Sequence, residues 1–164
     1  MTLATQETRA KGMLTQSKSI LLPAQADNRV RGSPWPARAF ALIAIASTAR
    51  SCIHLLAPDG GAGSIAGMDL NVAGAQGIVF AFALWGSAQL VYALIQLLVA
   101  LRYRSLVPLM YLLLAFETAL RMLVGRMRPV TFAHTPPGAV ANYILLPLAL
   151  AMLAWALWSG VRGS

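Results

Sequence analysis

Four long apolar stretches alternate with short polar ones along the chain. They lie at about residues 37–57, 75–101, 106–124 and 139–158. A transmembrane helix needs about 20 predominantly apolar residues, so each stretch is long enough to span a bilayer. Helix breakers separate them, since Pro58 follows the first stretch and Gly125 follows the third. The pattern predicts an all-α, polytopic membrane protein built as a bundle of four transmembrane helices.

The composition favours a domain embedded in lipid. Of the 164 residues, 58% are hydrophobic and 11% are charged, and the mean hydropathy is +0.66. A soluble domain carries about 25% charged residues. So much apolar sequence cannot be hidden in the core of so short a chain. We therefore predict one domain, a transmembrane domain over residues 36–160.

Residues 1–35 form a polar, basic segment ahead of the first apolar stretch. They are rich in Gln, Ser, Thr, Lys and Arg. Because such a composition cannot bury enough apolar surface to fold, we predict a mostly disordered cytoplasmic tail. A weak amphipathic patch from Met13 to Leu22 is typical of a segment that lies on a membrane surface.

The distribution of basic residues predicts the orientation in the membrane. Nine lie on the side of the tail, including Arg102, Arg104 and Arg162, and two, Arg126 and Arg128, lie on the other side. The positive-inside rule then predicts that both termini are cytoplasmic, and we expect the membrane to be a bacterial inner membrane. The net charge of +8 follows from this distribution, and no basic patch with interleaved aromatic residues indicates nucleic-acid binding.

Six polar or ionisable residues interrupt the apolar stretches: Arg50, His54, Gln76, Glu117, Arg121 and Asn142. A charge in hydrocarbon costs about 2.5–3.5 kcal/mol, so it persists only where it is paired, hydrated or used. A spacing of four places Arg50 with His54, and Glu117 with Arg121, on one helix face each. With a rise of about 1.5 Å per residue, all six fall at a similar depth. We predict one polar cluster in the outer half of the bundle.

A second polar stripe runs along the second apolar stretch. Trp85, Gln89, Tyr92 and Gln96 follow one another at spacings of four, three and four. They therefore share one helix face, and we predict interhelical hydrogen bonds from Gln89, Tyr92 and Gln96. A polar ligand groove is the alternative.

The chemistry of the cluster is open between structure and function. Glu117 with Arg121 could form a structural ion pair, or Glu117 could bind and release a proton. The excess of Arg50 and Arg121 over one carboxylate would suit an anionic lipid or small ligand. His54 could relay protons or ligate haem, but only one other histidine exists, so no metal site is predicted. No cofactor is predicted, and a quinone or a haem stays an alternative.

Several features resemble the DoxX-like class of small four-helix bacterial membrane proteins. They are the helix number, the glycine-rich loop that leads into the second stretch, and the run Glu117-Thr118-Ala119-Leu120-Arg121 followed by Gly125-Arg126. The resemblance implies a four-helix bundle, in some members tied to redox or quinone-linked membrane systems. It implies no catalytic residue, and the basic tail is not part of the pattern.

Three functional hypotheses follow. We favour a non-enzymatic integral membrane protein, namely a subunit, an assembly factor or a module that binds a lipid or a small ligand. The second hypothesis is a membrane enzyme or quinone-linked redox component in which Glu117 and His54 transfer protons. The third is a proton-coupled transporter that works as an oligomer. The bilayer is the predicted partner, and a homo-oligomer or a larger membrane complex is possible under each hypothesis.

Overall fold

The computed structural model describes residues 11, 12, 15 and 19–163, and within them four long α-helices form the bundle. They are α1 (Trp35–Leu56), α2 (Ala75–Arg102), α3 (Val107–Met127) and α4 (Pro137–Arg162), and a 3-10 turn at Arg104–Leu106 joins α2 to α3. All four are long and apolar enough to cross a bilayer. The predicted all-α class of membrane protein with four transmembrane helices is therefore confirmed.

Prolines mark where several helices begin. Pro36, Pro108 and Pro137 lie in the first turns of α1, α3 and α4. Proline is tolerated there because its missing N–H would have no partner within the helix. At the other end of α3, the helix passes Gly125 and ends at Met127. A single glycine lowers helix stability by about 1 kcal/mol and does not by itself end a helix.

The bundle is built from two helical hairpins. α1 packs along α2, and α3 packs along α4, whereas contact between α2 and α3 is sparse. At the α1–α2 crossing, Gly86 lies so close to α1 that an added Cβ would be 2.8 Å from the backbone carbonyl carbon of His54. Small residues allow such close approach of helices. The α2–α3 seam has no equivalent tight crossing in the part of the chain that the structure describes.

The two ends of the bundle differ. The terminal end carries the N-terminal segment, the 3-10 turn and the end of α4; the loop end carries the loops 57–74 and 128–136. The buried core lies toward the terminal end and includes Phe40, Val99, Met110, Tyr111 and Leu114. There the Tyr111 hydroxyl donates to the carbonyl of Pro36 at 2.8 Å.

Residues 19–33 pack against the terminal end. Ile20 is buried, and an added Cβ on Gly160 would lie 2.9 Å from its side chain, so the glycine makes room for it. The Asp27 N–H donates to the Ser105 hydroxyl oxygen at 2.9 Å, and the Ser33 N–H donates to that of Ser159 at 3.1 Å. This part of the predicted disordered tail is thus fixed to the bundle. The rest of that prediction concerns residues 1–10, 13, 14 and 16–18, which lie outside the described residues.

Candidate functional site

Four polar side chains from three helices form a continuous network within the bundle. Arg50 Nη2 donates to Gln89 Oε1, and Gln89 Nε2 donates to Glu117 Oε1 at 2.8 Å. Arg121 Nη1 lies 3.7 Å from the same carboxylate oxygen. We call Arg50, Gln89, Glu117 and Arg121 the polar network. It connects α1 to α3 by way of α2.

Gln89 can link Arg50 to Glu117 because its side-chain amide both accepts and donates hydrogen bonds. The carbonyl end accepts from a guanidinium, and the NH₂ end donates to a carboxylate. Arg50 therefore reaches Glu117 through an amide and not by a direct ion pair. The Arg50 guanidinium also lies over the Trp85 ring, 5.3 Å from its centroid, which is a cation–π arrangement.

A cavity of about 210 Å³ adjoins the polar network. It is bounded by residues from all four helices, and its polar lining outside the network consists of Ser47, Tyr92, Gln96 and Asn142. One water occupies about 30 Å³ of liquid volume, so this polar cavity has room for several waters or for a small polar group.

Three buried polar atoms at the polar cavity lack a hydrogen-bond partner among the described residues. They are the Tyr92 hydroxyl oxygen, Gln96 Oε1 and Arg121 Nε. The Gln96 side chain is almost fully buried, at 1% exposure. An unsatisfied buried polar group costs about 1–3 kcal/mol. A rotation of these side chains toward water or a polar ligand in the cavity would remove that cost.

The polar cavity carries an excess of positive charge. Glu117 is the only acidic residue in the sequence of the four helices, and it faces both Arg50 and Arg121. The side chains of Arg121 and Glu117 are 21% and 28% exposed, so neither is fully open to its surroundings. With both arginines charged and Glu117 ionised, one positive charge is left without a counter-charge.

His54 lies apart from the polar cavity. Its Nδ1 lies 2.8 Å from the carbonyl oxygen of Gly60, which can only accept, so Nδ1 carries the proton. An added Cβ on Gly61, whose φ is +76°, would lie 2.9 Å from the same ring nitrogen. The histidine thus holds the glycine-rich loop against the end of α1. It makes no contact with Glu117 that would support the hypothesised proton-transfer pair.

Gln76 also lies apart from the other predicted cluster residues, whereas Asn142 lines the polar cavity. Gly86 marks the level of His54 on α2. Gln76 precedes Gly86 by ten residues, so it lies about 15 Å further toward the loop end. Its side chain is exposed. Gln89, which the sequence places in the second stripe, takes the bridging position instead.

The loop between α1 and α2 has its own carboxylate anchor. Asp59 accepts from the Gly61 N–H at 2.8 Å and from the Ser64 N–H at 2.7 Å. Hydrogen bonds from the backbone N–H groups of Ser64 and Gly61 stabilise the carboxylate and lower the pKa of Asp59 from 3.8 to about 2.

The two loops at the loop end contact each other. The Ala133 N–H donates to the Gly67 carbonyl at 2.9 Å, and His134 Nε2 lies 3.3 Å from the Ile65 carbonyl oxygen. Among the residues that the structure describes, no group of three His, Cys, Asp or Glu side chains is arranged to hold a metal ion.

Comparisons with known proteins assign no family to the chain. No protein family, curated protein or solved structure matched it. The resemblance to the DoxX-like class therefore stays a prediction, and function is inferred from the geometry of the polar network and the polar cavity.

Proposed function

We propose that this is a non-enzymatic membrane protein that binds an anionic ligand, either a lipid headgroup or a small anion, in the polar cavity. The observation that carries the proposal is two guanidinium groups against one carboxylate around a cavity inside a transmembrane bundle. A charge in such a place persists where it is paired, hydrated or used. An anion would neutralise the remaining positive charge.

The unpaired hydrogen-bonding groups support the same ligand class. Arg121 Nε is a buried donor that lacks an acceptor within the described part of the chain, and the Tyr92 hydroxyl makes no hydrogen bond of normal geometry there; a rotation of either side chain toward the cavity would offer it to a ligand. A carboxylate or phosphate accepts several N–H and O–H bonds at once, and guanidinium groups bind such oxyanions in a two-pronged geometry.

A purely structural ion pair fits the geometry less well. A charge-assisted N–H···O bond is about 2.7–2.9 Å long, but Arg121 Nη1 lies 3.7 Å from Glu117 Oε1. The shorter bond to that oxygen comes from Gln89. A structural pair also needs no cavity beside it.

The orientation belongs to the proposal as well. We propose that the loop end faces outward from a bacterial inner membrane, because nine basic residues lie on the other side and two lie on this one. The polar cavity would then be in the outer half of the bilayer. Membership of the DoxX-like class is proposed on the residues quoted above.

Native mass spectrometry of the protein in a non-ionic detergent tests the proposal. The probes are palmitate and phosphatidylglycerol as anions, and hexadecanol and phosphatidylcholine as uncharged or zwitterionic counterparts. We expect at least one anion to bind selectively, and Arg50→Gln and Arg121→Gln to weaken that binding by roughly tenfold or more. Arg126→Gln, an exposed arginine on α3, is the control with an equal change of charge. Binding of both classes alike, or binding unaffected by both cavity variants, would contradict the proposal.

A further inference from the structure

We propose that the ligand is a fatty acid that enters the polar cavity sideways from the bilayer, between α2 and α3. Its carboxylate would meet Arg50 and Arg121, and its hydrocarbon chain would stay in a groove on the face of the bundle. This inference rests on the proposed anion-binding function and goes further by naming the ligand class and the route.

The route is a groove of about 360 Å³ between α2 and α3. It lies where these two helices are in sparse contact, on the surface that lipid covers in a membrane. Its apolar walls come from both helices: Trp85, Ala88, Leu113, Phe116 and Leu120. We call this the α2–α3 groove. Its apolar surface could hold one acyl chain.

The α2–α3 groove and the polar cavity share a wall. Gln89, Tyr92 and Glu117 line both. The hydrogen bond of 2.8 Å from Gln89 to Glu117 crosses from α2 to α3 at this wall. A ligand in the groove therefore meets polar groups first at these three residues. If Gln89 Nε2 donated to the ligand carboxylate in place of Glu117, the way to Arg50 and Arg121 would open, and Glu117 would keep Arg121 as its partner.

The charge balance selects the headgroup. The polar cavity has one uncompensated positive charge, which a monoanion neutralises. A carboxylate has two oxygens that can accept from the guanidinium groups of Arg50 and Arg121, whose side chains both line the polar cavity. A single chain with a terminal carboxylate matches a single groove that ends at the wall it shares with the polar cavity, whereas a phospholipid brings a second chain and a larger headgroup.

Fluorescence quenching can place the chain in the groove. Trp85 lines the groove, so Trp35, Trp155 and Trp158 are replaced by Phe to leave Trp85 as the only tryptophan. We expect a dibrominated stearic acid to quench Trp85 in a saturable manner at low mole fraction in detergent. A dibrominated alcohol of the same chain length should quench it only weakly and without saturation.

A blocked groove tests the route. Ala88 lines the α2–α3 groove but not the polar cavity, so Ala88→Phe should fill the furrow and weaken the apparent affinity for the fatty acid by about tenfold. Ala81→Phe, at an exposed position of α2 outside the groove, is the matched control and should leave affinity unchanged. Thermal unfolding of both variants checks that each bundle is intact.

The outcomes separate the two proposals. If acetate competes as well as the fatty acid, or if phosphatidylglycerol binds and Ala88→Phe has no effect, the fatty-acid route is wrong and the anion-binding function stands. If the brominated alcohol quenches Trp85 as strongly as the acid, and Arg50→Gln leaves the acid's affinity unchanged, both proposals are overturned. Saturable quenching by the acid that is lost in Ala88→Phe and in Arg50→Gln supports both.

Discussion

Toward the terminal end the four helices meet around fully buried side chains such as Phe40 and Tyr111, whereas toward the loop end they surround the polar cavity. Two tyrosines show the contrast. The Tyr111 hydroxyl has the Pro36 carbonyl as its acceptor. The Tyr92 hydroxyl is also buried, but its interaction with the Gln96 side chain, one turn along α2, falls short of a hydrogen bond of normal geometry. In the terminal half the side chains are closely packed and their polar groups are hydrogen-bonded. In the loop half, polar groups and a cavity are left for a ligand.

The difference separates the source of stability from the place of binding. The terminal half holds the two hairpins together through apolar packing, so the loop half need not close the α2–α3 seam to keep the bundle folded. Three substitution pairs test this division and a fourth tests the loop end by itself, from the largest expected effect to the smallest.

Two phenylalanines compare the packed half with the groove. Phe40 is 0% exposed, whereas Phe116 is 62% exposed on the wall of the α2–α3 groove. Phe40→Ala should leave a cavity and lower the free energy of unfolding by about 3–5 kcal/mol. Phe116→Ala should lower it by less than about 1 kcal/mol. Denaturant unfolding in mixed micelles measures both, and equal losses would contradict the division into halves.

Two glycines compare the tight α1–α2 crossing with an open helix face. An added Cβ at Gly86 meets the backbone of His54 and Leu55 at 2.8 Å, and backbone cannot move aside as a side chain can. Gly86→Ala should therefore destabilise the bundle by about 1–3 kcal/mol. Gly125→Ala on α3 meets nothing within 4 Å, so it should be neutral or stabilising by up to about 1 kcal/mol. Thermal unfolding ranks the two, and a tolerated alanine at 86 would mean that the α1–α2 crossing is loose.

The two tyrosines test the difference in hydrogen bonding directly. Tyr111→Phe removes a donor from the Pro36 carbonyl and should cost about 1 kcal/mol of unfolding free energy. Tyr92→Phe removes a hydroxyl whose interaction with the Gln96 side chain falls short of a normal hydrogen bond, so the ligand-free bundle should lose less stability than it does in Tyr111→Phe. A larger loss from Tyr92→Phe, measured in the same unfolding assay, would show that its hydroxyl already has a partner.

The smallest expected effect concerns pH at the loop end. The folded-state pKa of Asp59 is lowered to about 2, below the unfolded value of about 3.9. Its contribution to stability is therefore complete above about pH 4 and is lost as pH falls through about 2. The difference in unfolding temperature between the native chain and Asp59→Ala should shrink over that range. Asp69→Ala, which removes a single N–H acceptor, is the control, and a difference that stays constant down to about pH 2 would argue against the lowered pKa.

The helices could be predicted from the sequence because a transmembrane helix needs a long apolar stretch, and helix-breaking residues separate the four stretches. The partners within the site could not. Counting from the helix ends assigns Gln76 and Arg50 to one depth, but α2 extends past the crossing at Gly86, so Gln89 takes that level instead. The second polar stripe, with its spacings of four, three and four, was the sequence pattern that indicated a buried role for Gln89. The contacts of Asp27 with Ser105 and of Ser33 with Ser159 join residues 78 and 126 positions apart, which a local pattern does not encode.

The contacts of Asp27 with Ser105 and of Ser33 with Ser159 affect how the α2–α3 groove would open. Asp27 is bonded at the link between α2 and α3, and Ser33 is bonded to α4, so the segment 19–33 ties both hairpins together at the end opposite the α2–α3 groove. Because that end is fixed, we expect α2 and α3 to separate by rotating about their connection, so that the separation increases toward Gln89 and Glu117. The contacts of the N-terminal segment would then limit how far the α2–α3 groove can open.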